Sequence, residues 1–244
     1  MKLDKALKLA AKFCSKDKSR PNLLQPVAFG QYVYASNGRS AIRILVGDDA
    51  RKNQNEGDFA NNLAYSIDDL ADDFRCLRVG QVDTEATELI KADFGKARIN
   101  WRSEQVAEMR RAKEEARHVC PDCGKEFFEI DGAKVSEDYF DFDEDGFRFL
   151  VAVGYDDQRE SAQLFDCRYL IPALDACGEG AFVAMKDRDV SFGMTCGRII
   201  CHDVGSEVWC IVEGVCRSSG DLTAEQLEKL DCHGELIART RESL

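Results

Sequence analysis

Residues 1–46 read MKLDKALKLAAKFCSKDKSRPNLLQPVAFGQYVYASNGRSAIRILV, and this stretch decides the predicted fold. Its apolar residues first recur at helical spacing, which predicts a helix over Leu3–Cys14. Three strands follow, at Leu23–Phe29, Tyr32–Ser36 and Ala41–Val46. Asn37-Gly38 predicts a hairpin turn between the last two strands, because both residues tolerate positive φ. The stretch therefore predicts a helix followed by an antiparallel meander.

The predicted first helix has a cationic stripe opposite an apolar stripe at 3.6 residues per turn. The cationic stripe is Lys5, Lys8, Lys12 and Lys16, and the apolar stripe is Leu3, Leu7, Ala10 and Cys14. Residues 1–20 carry seven Lys or Arg against two Asp, whereas the whole chain has a formal charge of −12. A cationic face on an acidic protein indicates contact with a polyanion, with Arg20 as a further phosphate contact. The alternative is that the lysine stripe is simply the solvated face of an amphipathic helix.

The composition is that of a soluble globular protein. The chain has 244 residues, of which 44% are hydrophobic and 32% charged, enough for one large domain or two small ones. No apolar run approaches the roughly 18 residues of a membrane span, and lysines interrupt any secretory signal. The 11 cysteines are scattered, so we interpret most as small buried hydrophobes in a reducing cytoplasm rather than as a disulfide framework.

A second helix-plus-meander unit begins near residue 164. Asp166 is a suitable N-cap for a helix that runs to Cys177, although Pro172 should bend it. The strands predicted after it are Ala181–Lys186, Val190–Met194, Gly197–His202 and Glu207–Val212. Residue-level identity between the two units is absent, so the repeat is one of architecture.

The region between the two units is less regular. Residues 47–62 predict a polar loop. The elements predicted after it are helices at Ser66–Phe74 and Arg102–His118, and strands at Leu77–Asp83, Ala97–Trp101, Phe127–Ile130, Tyr139–Phe142 and Phe147–Val153. The predicted organisation is α+β, with similar domains at 1–100 and 126–217. A polar helix and CxxC knuckle at 101–125 separate them, and a helical tail follows at 218–244.

Three local patterns resemble the DNA sliding clamp family. Arg20-Pro21-Asn22-Leu23 is similar to the R-P-x-L turn after the clamps' first helix, and residues 34–41 (YASNGRSA) resemble the turn of their next strand pair. Residues 165–174 (FDCRYLIPAL) resemble the R-Y-L helix of the last bacterial clamp domain. The likeness covers 3–46 and 164–213. Residues 100–160 have no counterpart, and residues 210–213 (CIVE) replace the family's M-P-M-R-like ending, so no partner-peptide pocket is assigned.

The resemblance implies a mechanical protein rather than an enzyme. Clamp subunits close into a ring around duplex DNA and act as processivity factors, with a DNA polymerase and a clamp loader as partners. Two-domain subunits trimerise, so the resemblance implies a cytoplasmic homotrimer, encoded by a bacterium or phage. Lysines on the inner face suit sliding, because an ammonium group is a hydrated point charge that holds no register on the phosphates.

The segment Cys120-Pro121-Asp122-Cys123-Gly124 has the form of one zinc knuckle, with His118 nearby. A structural zinc site needs four ligands, so Cys76, Cys232 or His233 would have to complete it. A metal-free knuckle and a redox pair are the alternatives. Zinc is therefore a candidate cofactor, and a zinc-ribbon protein that binds protein or nucleic acid without forming a ring is the first alternative function.

An acidic cluster at residues 141–145 (DFDED) supports the second alternative, a nuclease-like or other enzyme. The cluster imitates the start of an EF-hand loop, but Ala152 stands where the bidentate Glu belongs. His202-Asp203 is a candidate base, although a hydrogen-bonded histidine on an edge strand fits the pattern better. The sequence carries no P-loop, G-x-S-x-G or dinucleotide-binding motif.

Overall fold

The computed structural model describes residues 1–55, 58–72, 79–82, 84–121, 123–140, 149–153, 163–190, 194–205, 207–214 and 237–238. The helices are α1 (Leu3–Ala10), α2 (Asp48–Lys52), α3 (Asp58–Asp72), α4 (Thr84–Glu115) and α5 (Cys167–Cys177). The first strands are β1 (Val27–Phe29), β2 (Tyr32–Ser36), β3 (Ser40–Leu45), β4 (Val79–Val82), β5 (Arg117–Val119), β6 (Glu126–Ile130) and β7 (Ala133–Val135). The later strands are β8 (Leu150–Val153), β9 (Gln163–Asp166), β10 (Phe182–Val190), β11 (Met194–His202), β12 (Val208–Glu213) and β13 (Ile237–Ala238).

Helices combine with antiparallel sheets, which confirms the α+β class. The chain divides into two compact units, one formed by residues 1–91 with 150–244 and the other by residues 92–149. The predicted division, with domains at 1–100 and 126–217, differs from this one. The physical reason is that β3 and β12 are hydrogen-bonded neighbours, so both helix-plus-meander repeats lie in one sheet.

The first unit is built on an eight-stranded antiparallel sheet in the order β1-β2-β3-β12-β11-β10-β4-β13. The six strands from the β1 edge to β10 come from the two repeats, α1-β1-β2-β3 and α5-β10-β11-β12, and β4 and β13 follow beyond β10. The third strands of the two repeats, β3 and β12, are neighbours in the sheet. Outward from this pair, each repeat continues with its second strand and then its first. The separate β8–β9 pair leads into α5. The repeated architecture predicted from sequence is therefore present, but inside a single unit.

Helix α3 covers one face of this sheet. Its buried Ala60, Ala64 and Ile67 recur at helical spacing and pack against Tyr34 on β2 and Ile211 on β12. Side chains alternate across a strand, so the neighbours of these sheet residues face the other way. This alternation assigns every described core residue of the sheet to one face or the other.

The opposite face carries α1 and α5. Val33, Ile42 and Cys210 point away from α3, and each is fully buried. Helix α1 packs on β2 and β3, and α5 packs on β12, β11 and β3. The first helix of each repeat thus covers the same side of the shared sheet.

The second unit contains the second part of α4 and the antiparallel sheet β5-β6-β7. Phe128 on β6 packs on Phe140, with 5.5 Å between ring centroids. Lys113 on α4 pairs with Glu137 at 2.5 Å. These contacts join the helix, the small sheet and the 3-10 turn at Glu137–Phe140 within this unit.

Several predicted helix boundaries were wrong. The predicted loop at 47–62 contains α2 and the start of α3, whose apolar period begins at Phe59 and Ala60. The predicted strand Ala97–Trp101 lies inside α4, because residues 84–115 lack proline, have one glycine and are rich in strong helix formers. The predicted first helix ends early, at Ala10, and a 3-10 turn over Ala11–Phe13 replaces its last part.

Strand predictions failed mainly at strand ends. A 3-10 turn at Pro21–Leu23 shortens the first predicted strand to Val27–Phe29. Two long strands, β10 and β11, replace the three predicted over 181–202. Tyr139 lies in a 3-10 turn instead of a strand. The predicted tail helix lies outside the described residues.

Candidate nucleic-acid interface

Helix α1 presents lysines to solvent because its other face is anchored. Helix α1 packs on β2 and β3, and its residues Ala6 and Ala10 are fully buried. Lys5 and Lys8 are exposed. Small residues at an i, i+4 spacing allow α1 to lie close to the sheet and hold these two lysines on its outer face.

The cationic stripe is shorter than predicted. Lys12 lies in the 3-10 turn that extends α1, and its side chain is exposed. The backbone then becomes extended at Cys14, with φ −76° and ψ 153°. Lys16 follows this break, so the prediction that it continues the helical stripe was wrong, although its side chain is exposed.

The α1 lysines are available to bind an anion. No ion pair joins Lys5, Lys8 or Lys12 to any residue within the described ranges. Like charges at this spacing repel one another, and an anion relieves that repulsion. At about 0.1 M salt the Debye length is about 10 Å, so an approaching phosphate senses these ammonium groups more than distant carboxylates.

Arg20 is placed over the β2–β3 turn. Its Nε lies 3.7 Å from a carboxylate oxygen of Asp17, and both side chains are exposed. Its Nη1 lies 2.8 Å from the point that a Cβ on Gly38 would occupy. A hairpin is present as predicted, but its central residues are Gly38 and Arg39 because Asn37 N–H donates to the Ser40 carbonyl. Arg20 is therefore a partly paired surface cation.

Helix α5 adds no free cation to this face of the sheet within Cys167–Cys177. Its one basic residue, Arg168, pairs with the buried Asp166 at 2.7 Å. Its exposed Asp175 pairs with Lys91 of α4 at 2.6 Å. Positive charge on the shared helical face is therefore concentrated on α1, and the two repeats differ electrostatically.

The described residues of the CPDCG segment, Cys120, Pro121, Cys123 and Gly124, lie in a turn between β5 and β6. Cys120 N–H donates to the Lys125 carbonyl at 2.9 Å, and Gly124 N–H donates to the Cys120 carbonyl at 2.9 Å. Gly124 adopts φ +69°, which favours glycine at this position. Cys123 is exposed and Cys120 half-buried. These hydrogen bonds close the turn, with one of its two cysteines exposed.

His118 does not join these thiols. Its exposed ring stacks on Phe127, its partner across β5 and β6, with centroids 5.6 Å apart. Among the residues whose side chains are described, His118, Cys120 and Cys123 do not converge as three metal ligands. Cys76, Cys232 and His233, the other predicted contributors, lie outside the described residues.

Of the two features behind the enzyme alternative, the acidic cluster at 141–145 lies outside the described residues. His202 is buried between Phe182 and Trp209, and its Nδ1 lies 2.6 Å from the Asp203 carbonyl. This geometry is that of a hydrogen-bonded structural histidine. The prediction that His202 lies on an edge strand was wrong, because β11 lies between β12 and β10.

One cluster of reactive side chains was not predicted from the sequence. Cys177, Cys201 and Cys210 are buried with their sulfurs close together, whereas we interpreted them as independent small hydrophobes. The predicted strands that contain Cys201 and Cys210 were an available signal, because pairing them as a hairpin places the two residues opposite each other.

None of the described helices has both the length and the apolar composition needed to cross a membrane. Comparisons of this chain with protein-family models, with curated proteins and with solved structures find no match.

Proposed function

We propose that this protein is a clamp-like DNA-binding protein that acts as a processivity factor for a DNA polymerase. In this proposal Lys5, Lys8 and Lys12 contact the phosphates of duplex DNA without reading its sequence. The single observation that carries the proposal is the exposed lysine face of α1 and of the 3-10 turn after it, on a chain of formal charge −12. Among the described residues no ion pair neutralises these lysines.

The architecture supports the same proposal. The resemblance implies repeated helix-plus-meander units with their helices on one side, and α1 and α5 cover one side of a shared sheet. A lysine face on a rigid sheet gives non-specific attraction, because phosphate contacts hold a protein on DNA but carry no sequence information. The acidic remainder of the chain would repel DNA from other surfaces.

We propose further that several copies assemble into a ring, with a polymerase and a clamp loader as partners. The trimer implied by the resemblance depended on two separate domains per chain, whereas both repeats share one sheet here. The number of copies in the proposed ring should therefore be measured directly, by sedimentation of the full chain. An oligomer supports the ring, and a monomer at working concentration contradicts it.

The test of DNA binding is the triple variant K5E/K8E/K12E in the full chain. Each phosphate neutralised contributes about 0.9 to the slope of log K against log salt for B-DNA. Loss of three contacts should therefore reduce the slope by about 3 and weaken binding at low salt. An unchanged slope contradicts direct phosphate contact by α1.

The matched control is K52E/K96E/K125E, which changes the net charge equally at exposed lysines elsewhere. The control should retain most of the salt dependence if α1 is the contact surface. An equal loss in both triple variants shows that net charge alone drives association. Circular dichroism of both variants checks that the fold persists.

A further inference from the structure

Three cysteine sulfurs meet beneath the end of α5. Cys177 is the last residue of α5, and Cys201 and Cys210 are register partners on β11 and β12. The three Sγ atoms all lie within 4.8 Å of one another, and those of Cys177 and Cys201 are 3.6 Å apart. Among residues with described side chains, this is the one group of three or more potential metal ligands.

Separate elements of the fold hold each sulfur in place. Gly178 follows Cys177 with φ +77°, and its N–H donates to the Leu174 carbonyl at 2.9 Å, which ends α5 at that point. Directly opposed residues of antiparallel strands have Cβ atoms about 4.5–5.5 Å apart on the same face. The helix end therefore lies over a cross-strand cysteine pair, and the convergence does not depend on a loop.

The spacing suits a shared metal ion. A zinc–thiolate bond is about 2.3 Å long, so sulfurs around one ion are separated by about 3.8–4.0 Å. The Cys177 and Cys201 sulfurs are 3.6 Å apart, and no separation among the three exceeds 4.8 Å. Adjustments of a few tenths of an ångström at each side chain bring all three sulfurs to bonding distance.

The thiols differ in how readily they lose a proton. Hydrogen bonds from Cys177 and Cys210 hold the pKa of Cys201 below its usual range. The bond with Cys201 raises the pKa of Cys177, and burial raises the pKa of Cys210. The thiol protons leave as an ion binds, since a metal-bound cysteine is a thiolate.

We propose that Cys177, Cys201 and Cys210 form a buried thiolate site for a soft d10 metal ion, either Cu⁺ bound by the three sulfurs alone or Zn²⁺ bound by them and a fourth ligand. Thiolate ligands select these ions over hard cations. The positive charge of the ion partly offsets thiolate charge that apolar surroundings would otherwise destabilise. The bound ion ties the end of α5 to β11 and β12. Because binding releases protons, affinity should rise with pH.

The experiment uses the full chain carrying C120A/C123A, which removes the surface knuckle as a competing site. Reduced protein is loaded anaerobically with Zn²⁺ or with Cu⁺ in separate arms, desalted and analysed for metal by mass spectrometry. We expect about one equivalent in the arm with the preferred ion. The further substitution C201A or C210A should abolish binding of that equivalent of metal. Adding C167A should not, because Cys167 is fully buried but lies outside the three-sulfur group.

Retention of the metal by both C201A and C210A overturns the proposal, as does absence of metal in both arms. If the chain with C201A or C210A added does not fold, the C120A/C123A chain itself is measured instead. Its melting temperature is compared before and after a chelator removes the loaded ion. A fall in Tm on chelation supports the site, and an unchanged Tm contradicts it.

Discussion

Asn55 binds both outward-facing backbone groups of Ala28. The Ala28 N–H donates to Asn55 Oδ1 at 2.8 Å, and the Asn55 N–H donates to the Ala28 carbonyl at 2.7 Å. Ala28 is the middle residue of β1, an edge strand of the eight-stranded sheet. Unpaired edge groups are templates for pairing with another chain, so Asn55 closes this part of the edge. A strand of another chain therefore cannot pair with β1 at Ala28.

Replacing Asn55 with alanine should open this edge. N55A leaves the buried Ala28 N–H without its acceptor, which should lower the free energy of unfolding by about 1–3 kcal/mol. Self-association should rise as well, because the freed edge can pair with another copy. Denaturant titration and size-exclusion chromatography measure the two effects. N53A is the control, because the Asn53 side chain donates to the exposed Asp49 carbonyl at 2.8 Å, away from β1, and the variant keeps its backbone N–H. Equal effects in both variants contradict the edge role.

A side chain at Gly38 should cost stability mainly through the backbone. Gly38 adopts φ +85°, and a Cβ there would lie 2.8 Å from Arg20 Nη1, the tip of an exposed side chain that can move aside. G38A should lower the free energy of unfolding by roughly 1–2 kcal/mol for the left-handed backbone, with little added for moving Arg20. G132A is the control, because Gly132 has φ +81° with no atom within 4 Å of its added Cβ. We expect similar losses in the two variants. A much larger loss in G38A that R20A/G38A recovers contradicts a freely moving Arg20.

Tyr34 should make stability fall at alkaline pH. Its hydroxyl donates to Asp68 Oδ2 at 3.0 Å, and Asp68 pairs with Arg43 at 2.7 Å. Burial first, and then the charge of Asp68, raise the pKa of Tyr34 far above that of an unfolded tyrosine. The folded state thus keeps a proton that the unfolded state loses above pH about 10. The stabilisation is complete below that pH and declines as pH rises, by up to about 1.4 kcal/mol per unit.

The phenylalanine variant Y34F isolates this effect from that of the buried thiols. Unfolding free energies measured between pH 9 and 11 should fall less steeply for Y34F than for the unchanged chain. Y65F is the control, since Tyr65 is 62% exposed and should leave the slope unaltered. Identical slopes for all three proteins contradict a neutral buried Tyr34.

Asp166 should stabilise α5 in two separable ways. Its carboxylate accepts the Arg168 N–H at 2.9 Å as an N-cap and pairs with the Arg168 guanidinium at 2.7 Å. D166N keeps a capping oxygen but loses the charge, whereas D166A loses both. We expect D166A to lower the free energy of unfolding by about 1–3 kcal/mol, and D166N by less. Chemical denaturation ranks them, and equal losses contradict a capping contribution.

Elements with local signals were predictable from the sequence. The meander around Tyr32–Ser36 and the Asp166-capped helix ending at Cys177 occur as predicted, because side-chain alternation, helical spacing and capping involve residues a few positions apart. The predicted strand at Ala97–Trp101 was wrong, because a short apolar run suits either a strand or a helix and these residues lie inside α4. The exposure of Lys5 and Lys8 likewise followed from helical spacing.

Patterns along the chain predict the two helix-plus-meander repeats, the charged outer face of α1 and the turn after Cys120. The pairing of β3 with β12, the departure of Lys16 from the α1 stripe, and the contact of Cys177 with the sulfurs of Cys201 and Cys210 became visible only in the folded chain. The two sets of features differ in the range of the interactions that produce them. Spacing and turn preferences act between near neighbours along the chain, whereas strand pairing and sulfur contact join residues brought together only when the whole sheet packs against its helices.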